Sequence, residues 1–267
     1  MNKIKFDWPN ILNLAQEIGM PAEKKRAILR EYLQCHFLNY IYNQKKSNKL
    51  AFVGGTSLRL LHNLDRFSED LDFDNQGLST KELEACFALA AKKMSEIGFD
   101  NDWKFKKIRN DAWRGYLKFT AGILQEIGLS PFQTERLMIK IEIMKPKAKI
   151  NIKPVLLKRF GVLANVISYD LPIILSQKTL AALHRQPSKA RDFYDVAWLL
   201  IQHIRPDFKI LKKENIKNIK DYAQIMLKEY MKLKPNLKIL KQKLKPFLIN
   251  EENLRYLDLF DKIIQDI

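Results

Sequence analysis

The chain is short of cysteine, of histidine, of acid and of long apolar runs. Its two cysteines, Cys35 and Cys86, match no metal-binding or redox spacing and imply no disulfide framework, so a reducing cytoplasm is the simplest home. Its four histidines, His36, His62, His184 and His203, are scattered without ligand spacing, and no Ser/His/Asp or Cys/His arrangement can be argued from them. The longest apolar runs, such as Val196 to Ile201, fall far below the roughly 20 residues of a membrane span, so no membrane is expected as a partner. The opening stretch MNKIKFDWPN lacks the apolar core of a signal peptide. No internal repeat or low-complexity tract is evident.

What remains is a 267-residue chain of ordinary globular composition, 46% hydrophobic and 29% charged, with a formal net charge of +17. Such a length suits one large domain or two small ones. Excess Lys and Arg favour a polyanionic partner because they release counterions when they neutralise phosphates, although a lysine-rich proteome would give the same total. The charge is unevenly spread. Residues 140–160 carry seven Lys/Arg against one Glu, and residues 21–50 carry seven against two acids. Residues 66–84 reverse the sign, with six acids against Arg66 and Lys81. An acidic focus in a basic surface has the character of a metal-and-phosphate site.

Periodicity places helices over residues 10–46, the second starting at Pro21. LAFVGG reads as a short buried strand stopped by glycines, SLRLLHNL as a helix opening at the glycine turn, and DLDFD as a strand. STKELEACFALAAKKMSEIG is a helix with Ser79 or Thr80 as N-cap and Gly98 as stop. Residues 103–108 and 115–119 alternate weakly as strands, and RLMIKIEIMK (136–145) alternates cleanly. Residues 173–204 read as two helices separated by RQPSKA, the later one starting near Ser188, and the lysine-rich tail from about 212 is helical in period. A soft boundary near residue 170 divides an α/β part from an all-helical part.

Two stretches bear on chemistry. Gly54-Gly55 lies between a strand and a helix, where glycines let the backbone approach a ligand and tolerate positive φ. The first turn of such a helix offers unpaired N–H groups and a positive dipole end to phosphate, and Thr56 and Ser57 add hydroxyls. The stretch is neither a Walker A loop nor a GxGxxG fingerprint, and on its own a plain strand-to-helix turn explains it as well. Fifteen residues on, Asp70, Asp72 and Asp74 share one strand face, with Leu71 and Phe73 on the other. Same-face carboxylates about 7 Å apart at Cα repel unless a cation lies between them, and two of them suit Mg²⁺, which takes the rest of its shell from water and substrate phosphate. A solvated edge strand is the alternative. If the strand 136–145 pairs beside this one, Glu142 becomes a third carboxylate near the metals; otherwise Lys140 and Glu142 are a half-exposed pair. A haloacid-dehalogenase-type reading from Asp72 fails, because DFDNQ lacks the Thr or Val expected at its fifth position.

Downstream, Lys178 and Arg185 lie two turns apart on one helix, so both can line one face. Phe193, Ala197 and Leu200 form an apolar stripe on the next. Asp192 and Asp195 are i,i+3 neighbours and Arg191 is i,i+4 from Asp195, which spacing alone would assign to a surface charge lattice.

The string FVGGTSLRLLHNLDRFSEDLDF (52–73) resembles the nucleotidyltransferase superfamily pattern of two glycines, a helix, then acid–apolar–acid, and in its RFSEDLDF spelling the AbiEii/AbiGii-type nucleotidyltransferase toxins. QKTLAALHRQPSKARDFYDVAWLL (177–200) resembles that family's downstream Lys…Arg…RDxxD block. Two separated motifs in order are far more specific than either alone. The resemblance implies an α+β fold: a nucleotidyltransferase-fold mixed sheet with flanking helices over 1–170, and a C-terminal helical domain over 171–267 closing over one side of the nucleotide. It implies transfer of NMP from an NTP to an acceptor hydroxyl, with Mg²⁺ (or Mn²⁺) held by Asp70, Asp72 and Glu142. Gly54, Gly55, Thr56 and Ser57 would cradle the triphosphate, with Lys178, Arg59, Ser68 and Arg191 as further nucleotide-binding candidates, and Lys178, Asp192 and Asp195 completing the catalytic set. The acceptor is the 3′ end of tRNA or another RNA, as the basic stripes suit, or a protein with an acidic face, and abortive-infection relatives are toxins neutralised by a cognate antitoxin. A catalytically silent nucleotide- or RNA-binding module is the competing class. The intact pair Asp70 and Asp72 argues against it, since a silent copy has no need of two crowded carboxylates.

Overall fold

The computed structural model describes residues 7–120, 122–132, 134–147, 149–186 and 190–267. Contacts divide the chain into two compact units: Met1–Asn63 with Phe67–Ser168, and Leu64–Arg66 with Tyr169–Ile267. No helix among the described residues is long and apolar enough to cross a membrane.

The first unit runs α1 (Trp8–Glu17), α2 (Lys25–Tyr42), β1 (Leu50–Val53), α3 (Gly54–His62), β2 (Leu71–Asn75), α4 (Thr80–Glu96), β3 (Asn101–Arg109), β4 (Ala112–Phe119), α5 (Ile123–Glu126), β5 (Met138–Met144), β6 (Lys153–Arg159) and β7 (Val162–Ser168). Five strands form a mixed sheet in the order β1-β2-β5-β4-β3. Only the β2–β5 pair is parallel. The fold is therefore α+β, a mixed sheet with flanking helices. Alternation sorts the faces: Phe52, Phe73, Leu117, Ile139, Ile141 and Ile143 are buried on one side. There Phe87 of α4 meets Phe73 edge-on, stacks on Trp103 of β3 and tilts against Phe37 of α2. Their intervening neighbours, including Asp72, Tyr116 and Glu142, belong to the opposite face.

Three expectations are corrected. Helix α2 starts at Lys25, not Pro21, because PAEK closes a turn in which Lys24 donates its N–H to the Pro21 carbonyl at 3.0 Å. Strand β2 starts at Leu71 and ends at Asn75, so Asp70 precedes it and Asp74 lies inside it. A hairpin, β6–β7, occupies 153–168, where the sequence reading assigned no strands. Its turn residues Phe160 and Gly161 both have positive φ, 51° and 73°, the backbone sign of a two-residue hairpin turn whose twist matches its strands. The hairpin is tied to β1 by Ser168 Oγ donating to the Phe52 carbonyl at 2.7 Å. Ser79 is the N-cap of α4, one of the two residues expected there, and Glu82 closes a capping box with it, each satisfying the other's backbone N–H.

The second unit is helical after its Leu64–Arg66 segment: α6 (Leu171–His184), α7 (Ala190–Ile201), α8 (Phe208–Leu211), α9 (Ile219–Leu233), α10 (Leu237–Leu244), α11 (Arg255–Asp258) and α12 (Phe260–Gln265). The expected start of α7 near Ser188 lies outside the described residues. Phe193, Ala197 and Leu200 of α7 are buried as their spacing predicts, with Phe193 against Tyr230 and Phe260.

Candidate active site

The glycine turn and the acidic strand are built as one piece. Gly54 has φ +82°, and a Cβ there would lie 2.3 Å from Asp72 Oδ2. Glycine is required twice over, by the backbone sign and by the carboxylate packed against it. Two residues on, the Thr56 hydroxyl donates to the Asp70 carbonyl. That bond draws Asp70 out of the strand ladder toward the turn. The Ser57 hydroxyl donates to the Gly54 carbonyl at 3.1 Å. Both hydroxyls are fully buried and shape the turn itself. Gly55 is buried in the first turn of α3, and Val53, the residue before the helix, supplies no side-chain cap. What such a turn can offer an anion is therefore its backbone N–H groups and not these hydroxyls.

Asp72 and Asp74 are half-buried on the same face of β2, their Cα atoms opposite Glu142 and Met144 of β5. Glu142 thus stands beside the acidic strand, but its carboxylate is engaged: Arg114 Nη2 approaches at 2.8 Å and Lys140 Nζ at 2.9 Å. Burial raises its carboxyl, and these two cations outweigh burial and hold it below the usual carboxylate range. Among the described residues no three His, Cys, Asp or Glu side chains converge as a metal-binding group. Two aspartates are nonetheless a sufficient protein share for Mg²⁺, an ion that commonly takes one or two carboxylates and completes its shell with substrate phosphate. Asp72, whose carboxylate lies against Gly54, and Asp70, whose backbone carbonyl accepts from Thr56, carry hard oxygen donors of the type that chemistry uses.

Residues 68 and 69 are held from α2. Gln34 Nε2 donates to the Ser68 and Glu69 carbonyls at 3.3 and 2.9 Å, and Arg30 pairs with Glu69 at 2.5 Å. Ser68 therefore stands two residues before Asp70, half-buried. Arg59 lies on the far side of α3 from solvent, 3% exposed, with Nε 2.8 Å from Glu31 and its guanidinium over the Phe67 ring. Arg159 takes the other Glu31 oxygen at 2.6 Å and reaches Asn63 at 2.6 Å. Sequence reasoning missed Glu31 and Arg159. Glu31 sits in the apolar stretch of α2, and a charged residue there signals a buried partner.

The downstream block lies in the second unit. Asp192 and Asp195 are 1% and 0% exposed, so the surface lattice that spacing allowed does not form. Asp195 receives a fork from Arg66 Nε and Nη2, both at 2.6 Å, and Lys178 Nζ at 2.7 Å. Burial raises its carboxyl, and Arg66 and Lys178 outweigh burial and hold it below the usual range. Asp192 has the weaker set, with Arg185 at 2.9 Å, and burial leaves its carboxyl raised. Arg191, half-buried, adds its charge to those that pull the Asp192 carboxyl down. Arg66, the first residue of RFSEDLDF, was not among the sequence candidates; pairing a lone Arg with a distant RDxxD acid requires the tertiary structure.

A family model described as nucleotidyl transferase AbiEii toxin, type IV TA system, matches residues 36–264. No curated protein matches the chain. Among solved structures, JHP933 from Helicobacter pylori is similar with a TM-score of 0.55 at 19% identity, over 90% of this chain and 92% of that one. A candidate nucleotidyltransferase from H. pylori gives a TM-score of 0.54 at 20% identity, over 90% of this chain and 95% of that one. At these identities the likeness is one of fold.

Proposed function

The chain belongs to the AbiEii nucleotidyl transferase toxin family of type IV toxin–antitoxin systems, and on that footing we propose that it moves NMP from an NTP to the 3′-terminal hydroxyl of an RNA, tRNA foremost, as a cytoplasmic toxin in phage defence. The acceptor oxygen bonds to the α-phosphorus, the bond from that phosphorus to the bridging oxygen breaks, and pyrophosphate leaves while the hydroxyl proton passes to water. The first-turn amides of Gly54, Gly55, Thr56 and Ser57 receive the triphosphate, because a helix N-terminus carries both donors and a favourable dipole. Asp70 and Asp72 would hold Mg²⁺, which when bound would neutralise charge developing on the phosphate oxygens and lower the pKa of the attacking hydroxyl. Glu142, ion-paired with Arg114 and Lys140, orients that side of the sheet. Asp192 and Asp195 act by fixing Arg185, Lys178 and Arg66. A cognate antitoxin opposes the activity.

The observation that carries this proposal is the fit of Gly54 against the Asp72 carboxylate together with the Thr56–Asp70 bond. A turn that served only to connect strand to helix would need neither. Incubation with each labelled NTP, Mg²⁺ and total tRNA tests it. Labelled RNA is the expected product. Label on protein instead would replace the acceptor, and no label with any nucleotide would favour a silent binding module.

A further inference from the structure

The face of the five-stranded sheet that carries Asp72 is continuous with a basic field. Register partners share a face, so Asp72, Glu142, Arg114 and Lys106 form one row across β2, β5, β4 and β3. The adjacent row is Lys140, Tyr116 and Lys104, and it meets the chain just where Asp70 precedes β2. Lys118 follows, between Met138 and Asp102. Lys104, Lys106 and Lys118 are exposed, and they make no ion pair among the described residues. Tyr116 lies in the middle of them, half-buried, about 10 Å of sheet from β2 at the usual strand spacing. Arg114 beside it donates from Nε and Nη2 to Glu142 Oε1 at 3.2 and 2.8 Å.

We propose that this open sheet face is the platform for the unpaired end of the acceptor strand, with Tyr116 stacking under a base and Lys104, Lys106 and Lys118 taking backbone phosphates. A sheet face with one aromatic ring among cations suits a splayed single strand, whose bases can stack on the ring while its phosphates meet the lysines. A duplex hides its base faces and leaves the ring without a partner. The charge also has direction. On β3–β4 the cations outnumber the single carboxylate Asp102, which is paired with Arg136, whereas β2 carries Asp72 and Asp74, so a strand laid along the lysines brings its terminal hydroxyl toward Asp70 and Asp72. An acidic protein would answer the lysines but gains nothing from that polarity. What the strand does there rests on the nucleotidyl-transfer proposal; that it binds there does not.

The test uses the full chain and a short fluorescent single-stranded RNA with a free 3′ hydroxyl, against a blunt duplex of the same sequence. Tyr116→Ala should weaken single-strand binding by roughly 10- to 100-fold, the usual range for one lost stacking partner. Tyr116→Phe should restore it, which a purely structural role of the hydroxyl would not allow. Lys106→Ala and Lys118→Ala should each reduce the log–log salt slope by about 0.7. The thermal shift given by NTP should be unchanged in every variant. Unaltered binding in Tyr116→Ala, equal loss in Tyr116→Phe, or equally Tyr116-dependent binding of polyglutamate overturns the platform. If wild type labels RNA and Tyr116→Ala keeps its KM for RNA, the platform falls and transfer stands. If binding depends on Tyr116 but no RNA is labelled, transfer falls and the platform stands.

Discussion

Gly54→Ala separates two consequences of one methyl group. The backbone at φ +82° charges an L-residue about 1–2 kcal/mol. At about 2–4 °C per kcal/mol for a unit of this size, melting should fall by roughly 2–8 °C. The new Cβ also meets Asp72 Oδ2 at 2.3 Å and Asp72 Cβ and Cγ at 3.1 Å. Backbone cannot yield there as easily as the half-buried Asp72 side chain, so the carboxylate turns aside. A displacement of about 1 Å at a reacting centre commonly lowers the rate about 100-fold, and single-turnover nucleotide transfer should drop by that order. Gly19→Ala is the control. Its φ is +74° but nothing lies within 4 Å, so it carries the backbone penalty without the clash. The expected result is a similar melting shift for both variants and a transfer defect for Gly54→Ala alone. Equal transfer in the two variants would refute the idea that the turn sets the Asp72 carboxylate.

Other perturbations probe the buried charges. Glu31→Gln leaves Arg59 and Arg159 facing each other without their carboxylate and should cost about 3–5 kcal/mol in urea unfolding; a change below 1 kcal/mol would mean water or a neighbour takes over. Asp195→Asn should destabilise by a similar ~3–5 kcal/mol, since Arg66 and Lys178 lose their buried partner. Because the folded Asp195 carboxyl is depressed, its stabilisation is present above the unfolded pKa of about 4 and lost as pH falls through the lower folded value; the wild-type advantage over Asn should therefore vanish only in strong acid. Burial lowers His36 from about 6.5 to about 4, so the unfolded chain takes the proton first. Stability should be intact above about pH 6.5 and reduced by about 2 kcal/mol at pH 5, and His36→Gln should abolish that acid loss; identical pH profiles would contradict it.

Much of the first unit could be read from local pattern. Strands β2 and β5 alternate cleanly, Ser79 offers an N-cap for α4, and Gly54-Gly55 marks the turn before α3. What escaped was set by distant partners. Asp70 reads as a strand residue until the Thr56 hydroxyl takes its carbonyl. Thr56 and Ser57 look like phosphate ligands, but their hydroxyls close onto backbone carbonyls. Arg59 looks like a cation poised near the phosphates, whereas Glu31, distant in sequence, holds it in the interior. The hairpin β6–β7 was hidden because its lysines interrupt the apolar alternation, although Gly161 marked its turn. Spacing on a helix surface could not tell that α7 turns Asp192 and Asp195 inward, since that depends on Arg66 and Lys178 arriving from elsewhere.

The glycine turn and the pair Asp70 and Asp72 are proposed to form the centre that transfers a nucleotide. Label transfer from NTP to RNA in Mg²⁺, compared between wild type, Asp70→Ala and Asp72→Ala with melting temperatures recorded in parallel, tests it most directly. Labelled RNA from wild type, and none from either variant at unchanged melting temperature, is the predicted result. Wild-type labelling by either variant would contradict it.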